Sequence, residues 1–298
     1  PCLQMAIDSY APPFVPEGRA ITLPGRGTTF VREVAGPPGG PTLVLLHGWT
    51  ATAALNWFAC FQPLSRLFRV LALDQRGHGR GIRSLRPFRL EDCADDVAAL
   101  AQELGIDKLI PVGYSMGGPI AELVWRRHRA LVDGLVLCAT ARRFSQGGPR
   151  EHVLASGMLG LSVAATLSPV GARRLALDRL MTGRLDGSPF SEWAASELQR
   201  NNPAALLQAG AALTTFDGRG WLMEVDVPTA VVVTESDRVV APASQLALAN
   251  TIPRAQVFRV EGDHTVCAVD PGRFVPVLSA ACQHVARSGR APQHEPHR

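Results

Sequence analysis

Lysine is almost missing from this chain. Lys108 is the only one, so the formal net charge of +4 rests on arginine. The arginines are scattered and form no basic stripe with interleaved aromatics, so nucleic acid is not an expected partner. The six cysteines (Cys2, Cys60, Cys93, Cys138, Cys267, Cys282) include no C-x-x-C pair. They read as reduced, mostly buried thiols that build neither a metal site nor a disulfide framework. No run of about eighteen apolar residues occurs, so no transmembrane helix is expected. The N-terminus lacks the basic, apolar, small-residue order of a signal peptide. The chain opens on Pro1 rather than on methionine, which leaves room for a native start further upstream; a cytoplasmic location is the expectation. There is no internal repeat. Hydrophobic residues make up 46% and charged residues 19% of 298 positions, enough for a sizeable core and too apolar for disorder.

Proline and apolar runs divide the chain. Residues 1–17 carry Pro12, Pro13 and Pro16 without periodicity and read as a surface arm. Ala20–Leu23 and Thr28–Val34 read as two strands of a hairpin. Thr42–Leu46, Arg69–Leu73, Lys108–Tyr114, Leu135–Ala139, Thr229–Thr234 and Gln256–Val260 are short and mostly apolar, as strands buried on both faces of a parallel sheet are. Helical stretches alternate with them: Ala54–Arg66, Glu91–Leu104, Met116–Arg129, Ala243–Ile252 and Pro271–Ala286. That alternation predicts a mostly parallel, doubly wound α/β sheet. It breaks between Ala141 and Asp226, where helical stretches follow one another at Glu151–Leu167, Gly171–Met181, Ser191–Arg200 and Pro203–Thr214. The expected division is a core domain of residues 1–140 and 227–287, a helical cap over 141–226, and a disordered tail over 288–298.

Val112-Gly113-Tyr114-Ser115-Met116-Gly117-Gly118-Pro119 stands where a strand turns into a helix. G-x-S-x-G in that context strains the backbone at Ser115 and needs Gly113 and Gly117 small, because strand and helix pass close by. The serine hydroxyl is then held up at a helix N-terminus, where free N–H groups and the dipole suit a developing oxyanion. Pro119 fits the first turn of that helix.

A serine becomes a nucleophile when a base takes its proton and a carboxylate holds that base in one tautomer. In a parallel sheet these groups gather at the carboxyl ends of the strands. Of eight histidines, His264 satisfies this best, in the Glu261-Gly262-Asp263-His264-Thr265 loop after a strand. His47 and His78 sit in glycine-flanked turns and read as loop architecture; His128, His152 and His284 read as surface residues on helices. Asp237, after the strand Thr229–Thr234, is the expected acid and gives the order Ser, Asp, His. Asp263 is badly aimed as a chain neighbour, and Glu235 is the reserve. Two backbone N–H groups should form an oxyanion hole: Met116, directly after the nucleophile, and Trp49, in the loop after Thr42–Leu46.

Through His47-Gly48-Trp49, the Asp74-Gln75-Arg76-Gly77-His78-Gly79 turn, the elbow at Ser115, Asp237 and His264, the chain resembles the α/β-hydrolase superfamily from about Ala20 to Ala286. It looks most like the capped, cofactor-free esterase, lipase and perhydrolase-like branch, especially its actinobacterial members. The resemblance implies an eight-stranded, mainly parallel sheet with a helical cap over the site. Arg80 departs from it, standing where a serine often follows the Gly-His-Gly turn. A serine nucleophile separates the chain from the epoxide hydrolase and haloalkane dehalogenase branches, which use aspartate.

The expected activity is hydrolysis of a carboxylic ester, or a related acyl bond, of a hydrophobic small molecule, with no metal or organic cofactor. The apolar stretch Met158–Leu167 in the cap would suit an acyl chain or other hydrophobic group; the plainer reading is that this face packs on the core. C–C bond, thioester or lactone hydrolysis and perhydrolysis would use the same residues. A non-catalytic ligand-binding protein, or an enzyme docking on a membrane surface through the cap, are the readings from other classes. Oligomeric state is left open.

Overall fold

A computed structural model describes residues 15–145, 148–167 and 189–289. The predicted helix at Gly171–Met181 lies outside them, as do most of the N-terminal arm and of the tail. Strands apolar on both faces pair in parallel at the centre of one sheet: β3 (Thr42–Leu46), β4 (Arg69–Leu73), β5 (Ile110–Tyr114), β6 (Leu135–Cys138) and β7 (Thr229–Thr234), with β8 (Gln256–Val260) at one edge. β1 (Gly18–Leu23) and β2 (Gly27–Val34) form the expected hairpin and add antiparallel pairings at the other edge. The order across the eight strands is β1-β2-β4-β3-β5-β6-β7-β8. This is the eight-stranded, mostly parallel sheet the sequence predicts.

Helices cover both faces. The stretch Ala54–Arg66, expected as one helix, is two: α1 (Ala53–Trp57), capped by the Thr52 hydroxyl, and α2 (Phe61–Ser65). α3 (Leu90–Glu103) and α4 (Gly117–Arg127) pack on one face. Between β6 and β7 come α5 (Pro149–Leu167), α6 (Pro189–Leu198) and α7 (Pro203–Thr215). α8 (Pro242–Ala249), the short α9 (Val266–Val269) and α10 (Pro271–Gly289) complete the chain. α10 carries Ser288 and Gly289, which were assigned to a disordered tail; the amphipathic pattern that buries Leu278, Cys282 and Val285 holds the helix to that point. The strand expected from Lys108 begins at Ile110, because Leu109 pairs instead with the Val132 turn.

α5 differs from what its composition implied. It buries only a narrow seam at Ala155 and Ser162. Leu159, Leu161, Val163 and Leu167 are exposed, so the apolar stretch mostly faces outward rather than lining a site. Among the described residues, no helix is long and apolar enough to cross a membrane. Cys60, Cys93, Cys138, Cys267 and Cys282 are buried free thiols.

One polar side chain is buried against the logic of the core. Glu122, on α4, is 0% exposed, and neither carboxylate oxygen has a hydrogen-bond partner among the described residues. The turn at Gly218 closes over it: a Cβ there would lie 3.2 Å from Oε2. Burial pushes its carboxyl well above the ordinary 4.5. The native state therefore keeps a proton that the unfolded chain releases above that value, and stability falls as pH rises through this range. Glu122→Met, of similar length and apolar, is expected to stabilise the protein by on the order of 1–3 kcal/mol at about pH 8 and by less at about pH 5. Urea unfolding at the two pH values measures this, and an equal effect at both would remove the pH-linked part.

Candidate active site

The turn from β5 to α4 is tight because three glycines sit where no side chain fits. A Cβ on Gly113 would lie 2.1 Å from the Gly117 carbonyl oxygen, and one on Gly117 would lie 2.0 Å from that of Leu46. On Gly118 it would meet the Thr140 hydroxyl. Ser115 is forced to φ 51, a left-handed conformation that costs a non-glycine residue about 1–2 kcal/mol. Its backbone is pinned all the same. Ser115 N–H donates to Cys138 O at 2.9 Å, and Ser115 O accepts from Gly118 N–H at 2.9 Å and from the Thr140 hydroxyl at 2.8 Å.

The fold brings Ser115, His264 and Asp237 into one hydrogen-bonded row. His264 Nε2 lies 3.0 Å from Ser115 Oγ, and its Nδ1 lies 2.7 Å from Asp237 Oδ2. An ionised carboxylate only accepts, so the imidazole proton sits on Nδ1 and Nε2 is free to take one from the serine. Burial alone would raise the Asp237 carboxyl. Hydrogen bonds from His264, the Val240 N–H and the Thr234 hydroxyl outweigh it and hold the group below its ordinary value. The other carboxylates are engaged elsewhere: Glu235 pairs with Arg259, and Asp263 accepts from the N–H and hydroxyl of Thr265.

The structure supplies partners that the sequence did not single out. Gln245 on α8 is buried; its amide nitrogen reaches Thr234 Oγ1, Val240 O and, at 3.3 Å, Asp237 Oδ2, while Oε1 accepts from Thr234 N–H. The Tyr114 hydroxyl donates to His264 O at 2.9 Å, which ties the histidine loop to the strand before Ser115. Asn56 Oδ1 accepts from Gly48 N–H at 2.8 Å. The weak signal in each case is a polar residue on an apolar stretch, which periodicity alone does not separate from a surface position.

Met116 heads α4, and Trp49 stands in the turn after β3. Neither backbone N–H has a hydrogen-bond partner among the described residues. The Trp49 side chain is 38% exposed and donates from Nε1 to Leu206 O at 2.8 Å. Its ring and Met158 Sδ both crowd Gly210, where a Cβ would fall 2.8 and 2.9 Å from them.

His47 and His78 are structural. Gln75 N–H donates to His47 Nε2, so Nδ1 carries the proton and donates to Gly48 O. Burial lowers His47 to about 4, and burial with the nearby His47 lowers His78 to about 3. Asp74 ties its own turn to the start of α1, accepting from Arg80 and Ala53 N–H, each at 2.8 Å. His128, expected at the surface, is half-buried against Asp95. Among the described residues, no group of three or more His, Cys, Asp or Glu side chains could hold a metal ion. A cleft of 670 Å³ between α5, α7, α3 and α4, lined by Phe88, Leu123, Leu159 and Trp221, contains none of Ser115, Asp237 or His264.

The chain matches the family model for the alpha/beta hydrolase fold over residues 41–271 and belongs to that family. It is similar to the AB hydrolase superfamily protein YisY of Bacillus subtilis, 28% identical over 71% of this chain and 79% of the relative. It is 30% identical to a pimeloyl-[acyl-carrier protein] methyl ester esterase of Vibrio atlanticus, over 63% of this chain and 73% of the relative. Among solved structures, a thermophilic esterase from Thermogutta terrifontis superposes with a TM-score of 0.74 at 23% identity, covering 91% and 99% of the two chains; that likeness concerns the fold.

The strain at Ser115 is measurable. Ser115→Gly should be about 1 kcal/mol more stable than Ser115→Ala, because both lack the hydroxyl and only glycine relieves the positive φ. Chemical denaturation of the two variants reads the difference, and an alanine variant at least as stable would contradict it.

Proposed function

We propose that the protein is a serine hydrolase that cleaves a carboxylic ester of a hydrophobic small molecule. The observation that carries the reading is the row Ser115 Oγ, His264 Nε2, His264 Nδ1, Asp237 Oδ2, with both links at hydrogen-bond length and Ser115 at the head of a helix. Ser115 Oγ attacks the ester carbonyl while His264 Nε2 takes its proton. Asp237 keeps the imidazole in that tautomer and stabilises the imidazolium. The Trp49 and Met116 N–H groups receive the oxyanion, where removal of one donor typically forfeits about 3 kcal/mol of transition-state stabilisation. His264 returns the proton to the leaving alcohol. Water, activated by the same histidine, then hydrolyses the acyl-enzyme and frees Ser115. None of these steps calls on a metal or organic cofactor.

An ester is favoured over other acyl bonds because the Vibrio atlanticus relative is a methyl ester esterase. The Trp49 ring and Met158, side by side at Gly210, give the acyl group an apolar surface beside the donor loop.

A fluorophosphonate probe should label Ser115 alone, with labelling lost in Ser115→Ala; mass spectrometry of the digest locates the adduct. No labelling of folded wild type would overturn the reading. Asp237→Asn should lower kcat about 10⁴-fold by favouring the wrong histidine tautomer. In a series of p-nitrophenyl esters, kcat/KM should rise from acetate to longer chains. A preference for acetate over all of them would count against a hydrophobic acyl group.

A further inference from the structure

The loop from His47 to Thr52 is anchored from two sides. The sheet domain holds its first two residues. Gln75 N–H and Nε2 bond His47 Nε2 and O at 3.0 and 2.6 Å, and Asn56 takes Gly48 N–H. The inserted helices hold the rest. Trp49 Nε1 donates to Leu206 O of α7, Thr50 O accepts from Asn201 Nδ2 at 2.5 Å, and the Thr52 hydroxyl donates to Glu197 of α6 at 2.8 Å. The change of anchor falls on the Gly48–Trp49 peptide, whose N–H is the donor assigned to the oxyanion.

Asn201, in the corner between α6 and α7, is the central tie. It is buried, and its Oδ1 accepts from Gly79 N–H at 2.7 Å while Nδ2 reaches Thr50 O. The amide orientation follows from these partners, since an N–H can only donate and a carbonyl can only accept. Thr50 is held at φ 67. That is an outlier for a β-branched residue and persists only where the surroundings over-determine it.

We propose that Asn201 is a positioning residue. By fixing Thr50 in its strained conformation it sets the direction of the Trp49 N–H, so that oxyanion stabilisation depends on how α6 and α7 seat on the sheet. The inference rests on the reading of Ser115 as nucleophile and Trp49 as donor.

The test uses Asn201→Ala and Asn201→Asp with p-nitrophenyl butyrate, active sites titrated by the fluorophosphonate, and an alkyl trifluoromethyl ketone as the tetrahedral mimic. Asn201→Asp keeps the acceptor for Gly79 but replaces the amide donor with a carboxylate oxygen that repels Thr50 O, which serves if the alanine variant folds poorly. Per titrated site, kcat should fall about 10–100-fold, the effect of a displacement near 1 Å. KM should stay within about threefold, because the lost interaction belongs to the transition state. The Ki of the ketone should rise by the same factor as kcat/KM falls. Wild-type turnover per titrated site in both variants overturns the inference, as does a lower kcat with an unmoved ketone Ki. A wild type that is not labelled at Ser115 overturns the underlying reading, and the inference with it.

Discussion

At Gly117 the first turn of α4 lies so close to β3 that a methyl group there would sit 2.0 Å from the Leu46 carbonyl oxygen. That close approach is possible only with glycine, and it fixes more than a helix. It brings the end of β3, and with it the Trp49 loop, alongside the N-terminus that carries Met116. It leaves the chain no route from β5 into α4 except through a left-handed residue, which is Ser115. One steric constraint therefore sets both the position of the hydroxyl and the neighbourhood of the two N–H groups that have no partner among the described residues.

The charge arrangement follows from burial. Asp237 lies out of water, which alone would favour its neutral form. Two backbone N–H groups, the Thr234 hydroxyl and His264 together reverse that preference. Gln245 then saturates the same corner, bonding both Asp237 and the groups that hold it. The carboxylate is thus fixed in place by groups other than His264, and in the proposed mechanism little reorganisation would be left for it as the imidazole gains its charge. Glu122 is the contrast: burial with no partner among the described residues pushes its carboxyl up rather than down.

Much of this was legible in the residues. The alternation of apolar runs with helical periods identified the central strands, because a parallel sheet covered on both faces demands continuous apolar strands. The elbow was legible because glycine at fixed offsets from a serine has a steric meaning. What the sequence hid were contacts that depend on tertiary approach. Gln245 and Asn56 each look like one polar residue in an apolar helix, and only the fold shows that they face the site. The outward face of α5 is hidden in the sequence for a related reason. Apolar composition says that a surface prefers to leave water, but it does not say whether the site or something else receives it.

The inserted helices do more than stand over the sheet. Asn201 and Asn202 dip from the α6–α7 corner into the turns after β3 and β4, where Asn202 N–H reaches Gly77 O and Ala205 packs so tightly that a Cβ on Gly77 would fall 2.3 Å from its own. Those two turns carry the buried His47 and His78 and the carboxylate of Asp74, which the N–H groups of Gln75, Ala53 and Arg80 and the carbonyls of Gly48 and Arg76 hold in place. A shift of the corner would therefore be resisted by the sheet domain and absorbed at the softest point between them. That point is the stretch from Gly48 to Thr50, which has a strained residue at one end and an unpaired N–H in the middle. A donor at the junction of two anchors, as proposed for the Trp49 N–H, can be tuned by moving either one, without any change to Ser115, His264 or Asp237.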